Sequence, residues 1–372
     1  MEQNQRGNKA GLTRREFVRD GAAAAAGLAA GLGAVQSQAA EKTDVKKTRS
    51  YNPEMKYRPL GKTGLWISQV CLGGHWKRVN EMAPNAFKGG DWLGANLQDE
   101  GFKKNRYDVV SQCIKRGINY IDACTLQEVL AYSEALRGRR DAMYLGFSWY
   151  QEELRNGNFR TAEKLLGTLD KGMREAKLEY VDLWRITMHE QSGQQHTKGE
   201  VDEMMKALDA ARKQGKARMT GFSSHDRAHI KWMIETYPEI VQVVVTPYTA
   251  KTKVVTDEAG LWATMKKFGV GWFGIKPFSG TSLFKGNSSP DSPTAEEDDK
   301  LARMAIRYVL CNDAITAPIP GLINEHQVDN VAQAAIEGPL EKEEAKELDD
   351  AMDRAWANLP ADYHWLKDWE YV

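Results

Sequence analysis

Eight short apolar runs rich in β-branched residues recur along the chain, at ISQVCLG, INYIDA, AMYLGF, VDLWRI, ARMTGF, VQVVV, VGWFGI and AITAPI. Amphipathic helical stretches separate them, among them RYDVVSQCIKRG, TAEKLLGTLDKGMREAK, EVDEMMKALDAARKQG and DKLARMAIRYVL. Strands alternating with helices of this length imply βαβ units and a parallel sheet. Eight units within about 250 residues predict an α/β fold of the (β/α)8 barrel type. A doubly wound dinucleotide domain is disfavoured, because no GxGxxG follows the first strand. A further helix, LEKEEAKELDDAMDRAWANL, comes after the eighth unit. The tail DYHWLKDWEYV is expected to pack back on the body. Tyr363, Trp365, Trp369 and Tyr371 left in water would be an association liability.

Before the barrel the chain has a different character. Thr13-Arg14-Arg15-Glu16-Phe17-Val18-Arg19 resembles a twin-arginine export signal. The run AAAAAGLAAGLGAV follows, too short and too weakly apolar for a good membrane span. Ser37-Gln38-Ala39 offers small residues for cleavage. The expected organisation is a signal at 1–39, a polar linker at 40–54 and a barrel at 55–372. The resemblance implies the export machinery as a partner and a periplasmic or otherwise exported location. Lys plus Arg and Asp plus Glu balance at 51 each, so neither nucleic acid nor an anionic membrane is an expected partner. Cys71, Cys113, Cys124 and Cys311 form no CxxC pair and read as four buried free thiols, although an oxidising compartment would permit disulfides.

Six stretches resemble the aldo-keto reductase family. Residues 55–74, MKYRPLGKTGLWISQVCLGG, look like its opening hairpin, which plugs the barrel floor, and its first barrel strand. Residues 118–128, INYIDACTLQE, place Asp122 on the family's catalytic aspartate. KARMTGFSSHD resembles the segment that holds the nicotinamide carboxamide, which puts Ser223 and Ser224 there. In VQVVVTPY, Gln242 falls on a glutamine that shares this task. GIKPFSGTSLFKG resembles the pyrophosphate loop after the seventh strand, with Lys276, Phe278 and Gly280 at its heart. IPGLINEHQVDN resembles the adenosine-binding turn, with Gly321, Asn324, Gln327 and Asn330 at the contacting positions. The resemblance implies a small-molecule substrate and NADP or NAD as cofactor. A 2′-phosphate asks for Arg or Lys, and Leu322, Asn324 and Gln327 offer no cation, so selectivity for NADP is not expected.

The catalytic set departs from the family, which uses a tyrosine as proton donor, a lysine that lowers its pKa and a histidine that orients the carbonyl. Gln127, Ser148 and Thr187 stand at those positions. An amide donates a hydrogen bond but gives up no proton at neutral pH. Without the lysine, a buried Asp122 must pair elsewhere or titrate upward. His189, His75 and Tyr150 fall on the catalytic side of the strands, and His189 or His75 is the expected replacement proton donor. Glu128 and Glu190 lie near the mouth with weaker claims. His225 reads as a helix-start residue, His196 and His229 as surface, His364 as part of the tail. His75 and His189 lack an evident third ligand, so no metal is expected. The long segment after the first strand, HWKRVNEMAPNAFKGGDWLGANLQDEGFKKN, carries Trp76, Phe87, Trp92 and Phe102 and reads as a lid over the mouth.

The reading is therefore an exported barrel oxidoreductase with an altered site and a tightly held nicotinamide cofactor, acting on a small carbonyl or sugar-like substrate. The alternatives are a non-catalytic ligand-binding barrel and a lyase- or isomerase-type reaction through the histidines.

Overall fold

Tyr57–Pro59 (β1) and Trp66–Ser68 (β2) pair antiparallel in the computed structural model, which describes residues 44–88, 94–251 and 260–367. The expected signal at 1–39, Trp92, Trp369 and Tyr371 lie outside the described residues. Leu60 and Ile67 of the hairpin are buried with Cys71, Tyr120, Leu183, Val243 and Phe273, which closes one end of the barrel lumen. The expected first strand is divided. Ser68 pairs with Tyr57 in the hairpin, and only its distal part continues into the barrel.

The barrel strands are β3 (Leu72–Gly73), β4 (Tyr120–Asp122), β5 (Tyr144–Phe147), β6 (Val181–Thr187), β7 (Ala217–Ser223), β8 (Val243–Pro247), β9 (Gly271–Ile275) and β10 (Ala317–Ile319). They are parallel and adjacent in chain order. Backbone bonds from Cys71 N–H to the Pro318 carbonyl (3.0 Å) and from Gly73 N–H to the Pro320 carbonyl (2.8 Å) join β3 to β10. This is a (β/α)8 TIM barrel, as the alternating pattern predicts.

Each strand is followed by its helix: α1 (Glu100–Arg116), α2 (Leu126–Ala135), α3 (Ala162–Glu175), α4 (Lys198–Lys213), α5 (Arg227–Thr236), α6 (Leu261–Phe268), α7 (Ala295–Leu310) and α8 (Glu325–Ile336). The extra helix α9 (Lys342–Ala357) packs on α7. Six of these helices start on a capping side chain, from Asp99, Thr125, Thr161, Thr197, Asp226 and Asn324, which accepts a first-turn N–H.

Three expectations need correction. The segment read as a linker docks on the barrel floor from Asp44 onward. Thr48 Oγ1 donates to the Trp66 carbonyl (2.6 Å), and Arg49 donates to the Met143 carbonyl (2.8 Å) and to Asp182 (3.0 Å). Asp182 is fully buried and needs cations, which Arg49, Arg140 and Arg218 supply. The second concerns cysteines. Cys71 and Cys113 are buried, but Cys124 is half-buried at the mouth and Cys311, at the exposed end of α7, faces solvent. The third concerns the lid. Trp76 and Phe102 turn away from the mouth and pack edge-on at 5.4 Å, with Tyr132 also 5.4 Å from Trp76. The segment is a wall anchored in the helix layer, and its His75, Lys77 and Arg78 reach the cavity. Among the described residues, no helix is long and apolar enough to cross a membrane.

Candidate active site

A cavity of about 780 Å³ opens at the C-terminal ends of the strands, where barrels of this kind place their chemistry. Its floor is polar because of strand alternation. On β4, Tyr120 and Asp122 point inward together, and on β6, Leu183, Arg185 and Thr187 do so. Asp122 and Arg185 are 5% and 3% exposed and form a two-pronged ion pair, Nε to Oδ1 at 2.8 Å and Nη2 to Oδ2 at 2.6 Å. Tyr120 Oη donates to the same carboxylate (3.2 Å). Asp122 thus does pair elsewhere, with an arginine two strands away on β6, across β5. Burial opposes the Arg185 charge, yet Asp122 outweighs it and holds the guanidinium above its ordinary pKa range.

The network continues outward. Arg185 Nη1 donates to Thr187 Oγ1 (2.8 Å), which lies 2.9 Å from Ser148 Oγ. Ser148 Oγ donates to Glu153 (2.7 Å), and the backbone N–H groups of Thr187 and Trp149 donate to the same carboxylate at 2.8 Å. Burial pushes the Glu153 pKa up against these hydrogen bonds.

A second polar corner lies beside this floor. His75 Nδ1 sits 2.9 Å from Glu128 Oε1, and Cys124 Sγ is 3.6 Å from both ring nitrogens. Burial, then the Glu128 charge, raise the Cys124 thiol well above its usual pKa, with Arg185 and Lys276 opposing. On the far side His189 faces the cavity, its ring 5.3 Å from that of His196. His196 is 6% exposed rather than at the surface, and burial, with Arg160 and His189 nearby, lowers its pKa to about 4. His229 is also partly buried, its Nδ1 2.7 Å from Ser192 Oγ. Tyr150, Glu190 and the Glu190 partner Arg155 complete this side.

The expected dinucleotide contacts divide. Ser223, Lys276, Phe278, Gly280, Gly321, Gln327 and Asn330 line the cavity together. Lys276, Ser279, Gly280 and Thr281 have φ of 61°, 49°, 68° and 79°, a left-handed backbone of the kind that gathers N–H groups around an anion. Lys77 and Lys276 flank it, their Nζ atoms 4.7 and 4.9 Å from the Tyr363 ring centre. A Cβ on Gly280 would lie 2.8 Å from that ring, so at Tyr363 the chain packs directly on this loop. At the other end of the cavity stand Asp298, Asp299, His326, Gln327 and Asn330. Asp299 pairs with His326 at 2.5 Å. Arg78 stands beside this end, its Nη1 donating to Ser288 Oγ (3.1 Å), and the Ser288 carbonyl accepts from Gln327 Nε2 (3.2 Å).

Five expected site residues do not line the cavity. Gln127 sits in the first turn of α2, and Ser148 lies behind Thr187. Ser224 is 1% exposed and bonded to Ser192 Oγ (2.8 Å). Asn324 spends its side chain capping α8, accepting the Gln327 N–H (2.8 Å). Gln242 precedes β8 at the floor end, where it accepts the Thr220 N–H (3.2 Å), a full strand away from the mouth. The residues sequence reasoning missed are Arg185, Glu153 and Cys124. Arg185 had a signal: a cation inside an apolar strand, two residues before Thr187 and hence on the same face.

The aldo/keto reductase family profile matches residues 93–353. L-galactose dehydrogenase from Arabidopsis thaliana is 21% identical over 304 residues, which cover 76% of this chain and 89% of that protein. Among solved structures, the holo form of aldo-keto reductase AKR11C1 from Bacillus halodurans superposes with a TM-score of 0.56 at 18% identity, covering 80% of this chain and 96% of that one. A putative aldo-keto reductase from Pseudomonas aeruginosa gives a TM-score of 0.54 at 18% identity, over 78% and 97%.

Proposed function

Because the chain belongs to the aldo/keto reductase family, a family of oxidoreductases, we propose that it acts on a small carbonyl or sugar-like substrate with a nicotinamide dinucleotide and an altered catalytic set. The observation that carries this reading is the Asp122–Arg185 ion pair on the cavity floor. It keeps the family's aspartate in use with a new partner, at the place where a substrate oxygen must be held.

The chemistry follows from the residues. When bound, the nicotinamide ring supplies or accepts the hydride. Arg185 cannot give up a proton, but its fixed charge stabilises negative charge developing on a substrate oxygen, while Thr187, which accepts from Arg185, orients the guanidinium. The ion pair sits in a nearly water-free floor, where such stabilisation is strongest. Proton exchange then falls to His189, which faces the cavity two residues past Thr187, whereas His75 is engaged by Glu128. Ser223 serves the carboxamide end, and the Lys276–Thr281 loop with Lys77 serves the diphosphate. The polar lining from Tyr150, Gln151, Arg155 and Asn156 favours a hydroxyl-rich substrate, in keeping with the sugar named in the Arabidopsis relative. The twin-arginine-like leader implies an exported enzyme, which must keep its cofactor bound, since a dissociated one is not regenerated outside the cytoplasm.

The purified full chain should release a nicotinamide dinucleotide on denaturation, identifiable by mass spectrometry, and should oxidise aldoses with added NAD. If it neither carries nor binds a dinucleotide yet still takes up a sugar, the non-catalytic ligand-binding barrel is the correct reading.

A further inference from the structure

The His75 corner is more than a histidine beside a carboxylate. Three different donor types converge there from three elements: an imidazole from the segment after β3, a thiol from the end of β4, and a carboxylate from the first turn of α2. Their ligand atoms all lie within 4.8 Å of one another. Glu128 is 1% exposed, an expensive place for a carboxylate unless it is satisfied. Its Oε2 accepts the N–H groups of Cys124 (2.6 Å) and Thr125 (3.3 Å), which leaves Oε1 aimed at His75. The carboxylate fits only because residue 74 is glycine, since a Cβ there would lie 2.2 Å from Oε2. Cys124 and His75 border the cavity on the other side.

The spacing suits a small cation. A tetrahedral ion with Zn–S near 2.3 Å and Zn–N near 2.0–2.1 Å separates those donors by about 3.5 Å, and nitrogen from oxygen by about 3.3 Å. The observed separations are 3.6 Å for Sγ to nitrogen and 2.9 Å for Nδ1 to Oε1. Sγ is equidistant from both nitrogens and so lies over the ring face, out of line with either N–H. That placement is poor for direct proton transfer between thiol and imidazole. A turn of the half-exposed His75 ring would bring a nitrogen lone pair onto an ion held by Sγ and Oε1.

We propose that His75, Cys124 Sγ and Glu128 Oε1 bind one zinc-class divalent transition-metal ion, with a fourth position open on the cavity for water or a substrate oxygen. Thiolate and imidazole donors select this class over magnesium or calcium. Three protein ligands with one open position is the pattern of a reactive rather than a purely structural site. The inference goes beyond the function proposed above and does not depend on a dinucleotide.

The test is a cobalt titration of the chelator-treated full chain without nicotinamide cofactor. One equivalent of Co²⁺ should produce a thiolate-to-cobalt charge-transfer band in the near ultraviolet, which Zn²⁺ then abolishes by displacement. Cys124→Ser, a one-atom change, should lose the band. His75→Gln should weaken the affinity at least tenfold, with far-ultraviolet circular dichroism unchanged in both. No band in the wild-type chain overturns the proposal. So does a band that survives Cys124→Ser, which would place the ion on another thiol such as Cys311. Dinucleotide binding, measured separately, is expected in either case.

Discussion

At Arg185 the chain supplies Asp122 with a fixed cation from β6, in place of the lysine expected at position 148, which is serine here. The two groups differ in kind. A lysine can modulate a neighbouring acid's proton affinity, whereas a guanidinium forks onto a carboxylate and stays charged. Removing it strands Asp122 in the cavity floor. Arg185→Leu should lower stability by about 3–5 kcal/mol, and combining it with Asp122→Leu should restore much of that loss. Denaturant melts of the single and double variants read this directly, and additive losses would show that the pair is not coupled. His189→Ala should instead leave stability alone and lower turnover by about 10²–10⁴ with little change in KM, as expected for loss of a proton-transfer group. Unchanged turnover would remove His189 from the mechanism. At this scale the sequence made Asp122, Thr187, His75 and His189 legible, because strand ends mark the mouth. It misplaced Gln242, because the match to a motif was one strand length out of register. Asn324 was misassigned because a cap and a ligand contact ask for the same side chain.

Elements show a different balance. The alternation of short apolar strands with amphipathic helices was readable from residue type alone, since periods of two and 3.6 are local rules. The segment after β3 was not, because its aromatics suit a lid and a wall equally well, and only packing against Phe102 and Tyr132 decides. The short helical turn Ser192–Gln195 likewise escaped sequence reasoning, and it leads into buried His196. His196 has its pKa lowered by burial to about 4 in the folded chain, against about 6.5 when unfolded. The unfolded chain therefore binds the extra proton more readily. The stability due to neutral His196 is full above about pH 6.5 and is lost as the pH falls toward about 4. Melting temperature should decline across that window, and His196→Asn should flatten the decline. An identical decline in the variant would assign it to other groups.

For the whole molecule, the fold followed from eight repeats of one pattern, whereas the long-range partners did not. Nothing in the residues around 44–54 announces that Arg49 will be called on to neutralise Asp182, about 130 positions away in the chain. The end of the cavity proposed for the cofactor is a whole-molecule property too, assembled from α7, α8, the loop after β9 and Tyr363. Its carboxylates Asp298 and Asp299 predict less than a 100-fold preference for NADP over NAD, a difference of about 2.7 kcal/mol. Tryptophan quenching titrations with both nucleotides measure it, and a larger preference would mean that a phosphate contact lies elsewhere in the cleft.

The two ends of the folded chain meet the barrel at opposite faces. Thr48, Arg49 and Ser50 are bound under the floor, while Tyr363 rests on Gly280 at the rim. The protein is thus a cup gripped by its base, with its closing segment laid across the lip. An affinity handle or fusion joined directly at Asp44 starts beneath the cup, on the face away from the opening. The same addition joined directly after Lys367 starts four residues from Tyr363 and the Lys276–Thr281 loop, so a preparation tagged there should bind a nicotinamide nucleotide more weakly than one tagged at the base.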